Sequence, residues 1–177
     1  MTATVYIAVS IDGYIADAEG GLDWLAEGAG PDDGDLGFAE FMDSIDALVM
    51  GRRTFDVVCG FGHWPYTKPV FVLTNTLEVL SEDMQGKAEL ISGEPQDVIG
   101  QLATRGYHSL YIDGGRTVQA FLAQDLIDRL IITRIPVLLG AGAPLFGDLD
   151  RPLRFELLDT RMLAGRMVQS TYERMRQ

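Results

Sequence analysis

The chain has 177 residues, 47% hydrophobic and 23% charged, with a net charge of −12. That is enough for one domain with a proper core, and it argues against disorder. The acidic balance makes nucleic acid and anionic membranes poor partners, so an anion site here needs a local basic patch.

Cys59 is the sole cysteine, and His63 and His108 are the only histidines, so no internal disulfide and no metal site is expected. The opening MTATVYIAVS has no basic residue ahead of its apolar stretch, unlike a secretory leader. No uncharged apolar run is long enough to span a bilayer. The expectation is a soluble, cytoplasmic protein forming one domain over residues 1–177.

In chain order, TVYIAVS (4–10) reads as a buried strand. Residues 11–35 are rich in Gly, Asp and Ala, and are long for a plain connection. Tyr14 and Trp24 argue that this segment is ordered. LGFAEFMDSI (36–45) spaces Phe38, Phe41, Met42 and Ile45 as a helix. DALVM (46–50) is a strand ending at Gly51, and RRTFDVV (52–58) starts a helix with Thr54 in its first turn. KPVFVLTN (68–75) and AELIS (88–92) are strands. PQDVIGQLATR (95–105) is a helix with proline at its first position. SLYID (109–113) is a strand and RTVQAFLAQ (116–124) a helix. DRLIITRIPVLLG (128–140) reads as a long strand region, and residues 153–174 as a hairpin turning at Ala164–Gly165. Strands alternating with helices, followed by β-structure, predict an α/β fold. Its central sheet is mostly parallel and mixed, with an antiparallel C-terminal hairpin.

Three strand ends carry glycine or polar punctuation: VMGRRT (49–54), VLTN (72–75) and YIDGGRT (111–117). In an open α/β sheet, ligands bind beyond the carboxyl ends of the strands. Glycine lets backbone approach a phosphate, a helix N-terminus offers free N–H groups, and arginine adds a bidentate anion donor. A single Gly-Gly after a strand is usually only a turn; two Gly-Arg junctions together suit the two phosphates of a dinucleotide. The three-glycine dinucleotide fingerprint is absent, because GAGAPLFG (140–147) has Leu145 where its third glycine belongs. A Walker-type phosphate loop and a GxSxG elbow are absent too.

With SIDGYIA (10–16), GGLDWL (20–25), LVMGRRTFD (48–56), PVFVLTN (69–75), LYIDGGRTVQAFL (110–122) and LIITRIPVLLGAGAPLF (130–146) in order, the chain resembles the dihydrofolate reductase superfamily. The branch it resembles includes the reductase domain of bifunctional riboflavin-biosynthesis enzymes. The resemblance implies a three-layer dihydrofolate reductase-like domain, with NADPH as hydride donor and a pterin- or pyrimidine-like heterocycle as substrate. It assigns cofactor phosphate contacts to Gly51, Arg52 and Thr54, and the adenosine ribose to Leu73, Thr74 and Asn75. Gly114, Gly115, Arg116 and Thr117 would cradle the pyrophosphate. Ala8, Ile15 and Ala16 would line the nicotinamide. The family often forms homodimers, and the C-terminal apolar strands suit that role.

Dihydrofolate reductases use one carboxylate on the first helix, and counting back from MGR places Asp35 there as the candidate acid. Its plainer role is a helix N-cap. Asp12, in SIDG, is a second carboxylate or a turn residue. Cys59 reads as a small packed side chain, His63 and Trp64 as part of a packed loop, and residues 31–35 as a solvated loop. No zinc deaminase motif is present. Two rival readings stand beside the reductase: a cofactor-binding module without catalysis, and a structural domain whose junction arginines turn away from a common cleft.

Overall fold

Runs of Val, Ile and Leu without alternation suit strands covered on both faces, and these runs form the parallel part of the sheet. The computed structural model describes residues 1–28 and 34–176. The large sheet contains β1 (Thr2–Val9), β3 (Ala47–Gly51), β4 (Val70–Leu73), β5 (Ala88–Ile91), β6 (Ser109–Asp113), β7 (Arg129–Arg134), β9 (Phe155–Leu163) and β10 (Met167–Arg174). Its order is β5-β4-β3-β6-β1-β7-β10-β9. Strands β5 through β7 in that order are parallel. The hairpin β9–β10 joins antiparallel, with β10 against β7. The α/β class, the mostly parallel mixed sheet and the terminal hairpin are as the sequence predicts.

Helices cover both faces. On one face, α4 (Pro95–Thr104) and α5 (Gly115–Ala123) bury Val98, Leu102, Val118 and Phe121 against Ala3, Val5, Leu110 and Ile112. On the other, α2 (Phe38–Asp43) and α3 (Arg52–Cys59) bury Phe41, Met42, Phe55 and Val58 against Leu48, Met50, Val72 and Tyr111.

Two expectations are corrected. The strand predicted over 128–140 stops at Arg134. Pro136 has no N–H for a ladder, and the N–H groups of Leu139 and Gly140 bind the Asp12 carboxylate instead, at 3.2 and 2.7 Å. The long segment 11–35 is not one loop. It contains β2 (Tyr14–Ala16), which pairs with β8 (Ala143–Pro144), and the short helix α1 (Asp23–Gly28). Trp24 anchors it in a third apolar cluster with Ile135 and Met167. Of the acidic run 31–35, residues 31–33 lie outside the described residues. No helix among the described residues is long and apolar enough to cross a membrane.

Candidate active site

The strand order creates a crevice. β3 and β6 are neighbours, with Met50 level with Asp113, so Gly51 and Gly114 follow side by side. After β3 the chain passes through α3 to β4 on one side; after β6 it passes through α5 to β7 on the other. Connections that diverge from adjacent parallel strands leave an open switch point, where such sheets bind ligands. α3 and α5 lie on opposite faces, so both N-termini meet at this edge. No side chain caps either helix, and their first-turn N–H groups remain available to an anion.

The two turns interlock. A Cβ on Gly114 would lie 2.1 Å from Thr54 Oγ1, and one on Gly51 would lie 2.7 Å from Thr117 Oγ1. Each threonine hydroxyl therefore occupies the space left by the other turn's glycine. Gly114 also has φ 89°, a conformation open to glycine and strained for other residues. The structure thus brings Gly51, Thr54, Gly114, Gly115 and Thr117 together. Arg52 and Arg116 begin the two helices, both exposed. Arg52 Nε donates to both oxygens of Asp56 at 2.9 Å, along its own helix rather than over the crevice. An exposed pair of this kind is worth about 0.3–0.5 kcal/mol, so a phosphate can displace it.

β2 closes the crevice from above. The Ile15 Cδ1 atom lies 2.7 Å from where a Cβ on Gly115 would stand, so Ile15 rests directly on the second turn. The Asp12 carboxylate holds β2 in place. It accepts from Ser10 Oγ at 2.6 Å and from the Leu139 and Gly140 N–H groups of the loop after β7. The Ser10 hydroxyl and these N–H groups keep its carboxyl below the usual range. Asp12 is a clasp joining two loops. Ala8 lies on the last turn of pleat in β1, beside the Trp24 cluster. Among the described residues the buried Trp24 indole N–H has no hydrogen-bond partner.

At the end of β4, Leu73 and Thr74 are partly buried and Asn75 is exposed. Thr74 Oγ1 accepts from the N–H groups of Thr76 and Leu77 at 3.2 and 3.1 Å. It also lies 3.5 Å from the Thr76 hydroxyl, and as a hydroxyl it keeps one proton to donate.

The expected acid, Asp35, lies elsewhere in character. It is exposed, and its two oxygens accept from the N–H groups of Gly37 and Ala39 at 3.0 and 2.8 Å. Those bonds hold its carboxyl below the usual range, away from the value an acid needs. The N-cap position of α2 is Gly37, and Asp35, two residues ahead of it, satisfies the first-turn N–H of Ala39. Asp35→Ala is expected to lower the urea midpoint of unfolding while changing turnover by less than about twofold, the pattern of a lost cap. A large loss of turnover with unchanged stability would restore the acid role.

A different carboxylate has the right surroundings. Asp113 ends β6, one residue before Gly114, and is partly buried on the same face as Tyr111. Burial pushes its carboxyl up to about 6, against the Gly114 N–H bond at 2.8 Å and the Tyr111 hydroxyl, which favour ionisation. Burial, and after it the nearby Asp113 charge, push the Tyr66 phenol well above its ordinary range, so it stays a proton-bearing donor. The sequence signal for Asp113 is an acid at the strand end just before two glycines, which reads as ordinary turn chemistry until its burial is seen. The floor beyond it is a polar network. Gln169 is buried; its Nε2 donates to Tyr6 Oη at 3.1 Å and Thr133 Oγ1 at 2.9 Å, while its Oε1 accepts from Arg161 at 2.9 and 2.7 Å.

This architecture is the dihydrofolate reductase-like fold. The dihydrofolate reductase of Enterococcus faecalis, solved with NADP(H), superposes with a TM-score of 0.65 at 18% identity, covering 98% of this chain and 96% of that one. The RibD C-terminal domain family matches residues 2–169, and the chain belongs to that family. The crystal structure of a candidate riboflavin biosynthesis protein from Shewanella sp. PV-4 superposes with a TM-score of 0.96 at 47% identity, over 99% of this chain and 100% of that one. The uncharacterised protein YwjB of Bacillus subtilis (strain 168) is 34% identical over 173 residues, 96% of each chain.

Proposed function

We propose that this protein is an NADPH-dependent reductase that passes hydride to a C=N or C=O carbon of a pterin- or pyrimidine-like heterocycle. The observation that carries the reading is the interlocked pair of glycine turns at the switch point, with two uncapped helix N-termini aimed at one place. That is a cradle for two linked phosphates. In this reading the first-turn N–H groups of α3 and α5, with Thr54 and Thr117, hold the pyrophosphate. Arg52 and Arg116 supply charge at its rim. Leu73, Thr74 and Asn75 lie along the adenosine ribose, with the Thr74 hydroxyl donating to a 2′-phosphate. Ala8, Ile15 and Ala16 bound the nicotinamide.

When bound, NADPH supplies the hydride. The chain itself orients the acceptor, excludes water and provides a proton. Asp113 is the proton source in this reading, because a carboxyl near 6 keeps a usable protonated fraction at neutral pH. The test is NADPH consumption by the purified chain, beginning with dihydrofolate and the aminouracil intermediates of riboflavin synthesis. Turnover with one of them supports the reading; tight NADPH binding with no turnover on any favours a cofactor-binding module without catalysis.

The reading includes a homodimer. The outermost strand β9 and its partner β10 expose Leu157, Leu158, Met162 and Val168. Apolar exposure on an unpaired edge strand suits pairing with a second copy. Met162→Glu is expected to shift the mass in light scattering from two chains to one. A wild-type mass of one chain would end the dimer proposal.

A further inference from the structure

A second charged site lies at the opposite edge of the sheet from the glycine turns. Asp125, Arg151, Pro152, Arg154, Arg174, Met175 and Arg176 line a cavity of about 340 Å³. Arg174 is the last residue of β10, and its N–H bonds the carbonyl of Asp128, just before β7 begins. Because β10 runs antiparallel, its end meets the amino edge of the parallel strands. The six residues of β7 put the cavity roughly 20 Å from the crevice.

The charges there do not balance. Arg174 is nearly buried, with 8% side-chain exposure, and grips Asp125 through Nε at 2.7 Å and a second nitrogen at 2.9 Å. Its remaining nitrogen donates to the carbonyls of Arg154 and Met175. Asp125, which follows α5, adopts φ 57°. Arg176 is engaged with Asp128 and with the carbonyls of Asp125 and Ile127. Asp125 and Asp128 therefore offset Arg174 and Arg176. Arg151 is 74% exposed and adds one contact of 3.3 Å to a carboxylate already held. The Arg154 guanidinium makes no hydrogen bond or ion pair with the described residues. Two positive charges with unused donors thus face one small cavity, in a chain whose net charge is −12.

We propose that this cavity is a second anion site, which binds the phosphate group of a small phosphorylated molecule independently of the dinucleotide crevice. Two guanidinium forks present planar bidentate donors, the geometry that phosphate oxygens accept best. The paired arginines behind them are pinned, so binding costs little reorganisation. Pro152 and the exposed Met175 give an apolar wall for the group that carries the phosphate. The concave shape and the repulsion from the rest of the surface select a small anion over a polyanionic surface.

The test is a titration of the 15N-labelled full chain with inorganic pyrophosphate, followed by amide NMR. Saturable shifts are expected over residues 151–154 and 174–176, and these persist with NADPH in excess. The double variant Arg151→Gln/Arg154→Gln should weaken that binding at least about tenfold and leave NADPH affinity unchanged. Both side chains are exposed, so the fold is expected to survive. Amides at 151–154 that do not move, or that move equally in the double variant, would overturn the site. Loss of the shifts on adding NADPH would place the phosphate in the crevice and overturn its independence. Citrate binding tighter than pyrophosphate would overturn the phosphate class.

Discussion

Asp113→Asn is expected to lower turnover by about 100-fold or more, the scale of a lost general acid, while NADPH affinity changes less than about twofold. The prediction follows from position and environment together. Asp113 sits between the phosphate cradle and the polar floor of Tyr6, Thr133 and Gln169. Burial raises its carboxyl to about 6. An acid must be protonated, so the wild-type rate should fall as pH rises through about 6, and the variant should lose that limb of the profile. The stability sign is also fixed. The folded chain holds this proton more tightly than the unfolded chain. Its contribution to stability is therefore greatest below the ordinary carboxylate range and is lost as pH rises toward about 6. Asp113→Asn should flatten that dependence, and by removing a buried charge should stabilise the fold near neutral pH. A variant that is more stable but far slower marks a functional residue rather than a structural one. Unchanged turnover would move the proton source to solvent or to another group.

Gly114→Ala is expected to abolish measurable NADPH binding and to destabilise the fold by about 1–3 kcal/mol, the range for a side chain forced into glycine-only backbone space. Two causes act together. The φ of 89° disfavours a side chain, and the new Cβ would meet Thr54 Oγ1 at 2.1 Å and Thr54 Cβ at 3.2 Å. The backbone of either turn must then shift, and both helix N-termini lose their common aim. Gly115→Ala is the milder control. Its Cβ meets the flexible end of Ile15 at 2.7 Å, so the cost falls on the nicotinamide wall rather than on the phosphate cradle. If Gly114→Ala binds NADPH as the wild type does, the cradle assignment fails. Thermal or urea unfolding of the same samples separates lost binding from lost fold.

Much of this was legible in the sequence, for physical reasons that can be named. Parallel strands buried on both faces read as plain apolar runs, so β1, β3, β4 and β6 were visible. Gly114, Gly115 and Arg116 after one strand and Gly51 and Arg52 after another gave both turns of the crevice. What sequence lacks is the pairing of strands. That β3 lies beside β6, so that Thr54 covers Gly114 and Thr117 covers Gly51, depends on long-range register. The same limit hid Asp113. Asp-Gly is a turn signal on its own, and only the packing of Tyr66 and Tyr111 around it makes the carboxyl unusual. Asp35 illustrates the converse. Counting residues to a family position ignored the N–H groups of Gly37 and Ala39, which claim its oxygens. The strand predicted through residue 140 failed because Pro136 cannot join a ladder, Val137 N–H turns back to the Ile135 carbonyl, and Asp12, distant in sequence, captures the N–H groups of Leu139 and Gly140.

The most direct measurement is a fluorescence titration of the purified chain with NADPH and, separately, with NADH. Saturable binding of NADPH is expected, with weaker binding of NADH and loss of both in Gly114→Ala. No saturable binding of either nucleotide by the folded wild-type chain would contradict it, and would reduce the two glycine turns to close packing between neighbouring strands.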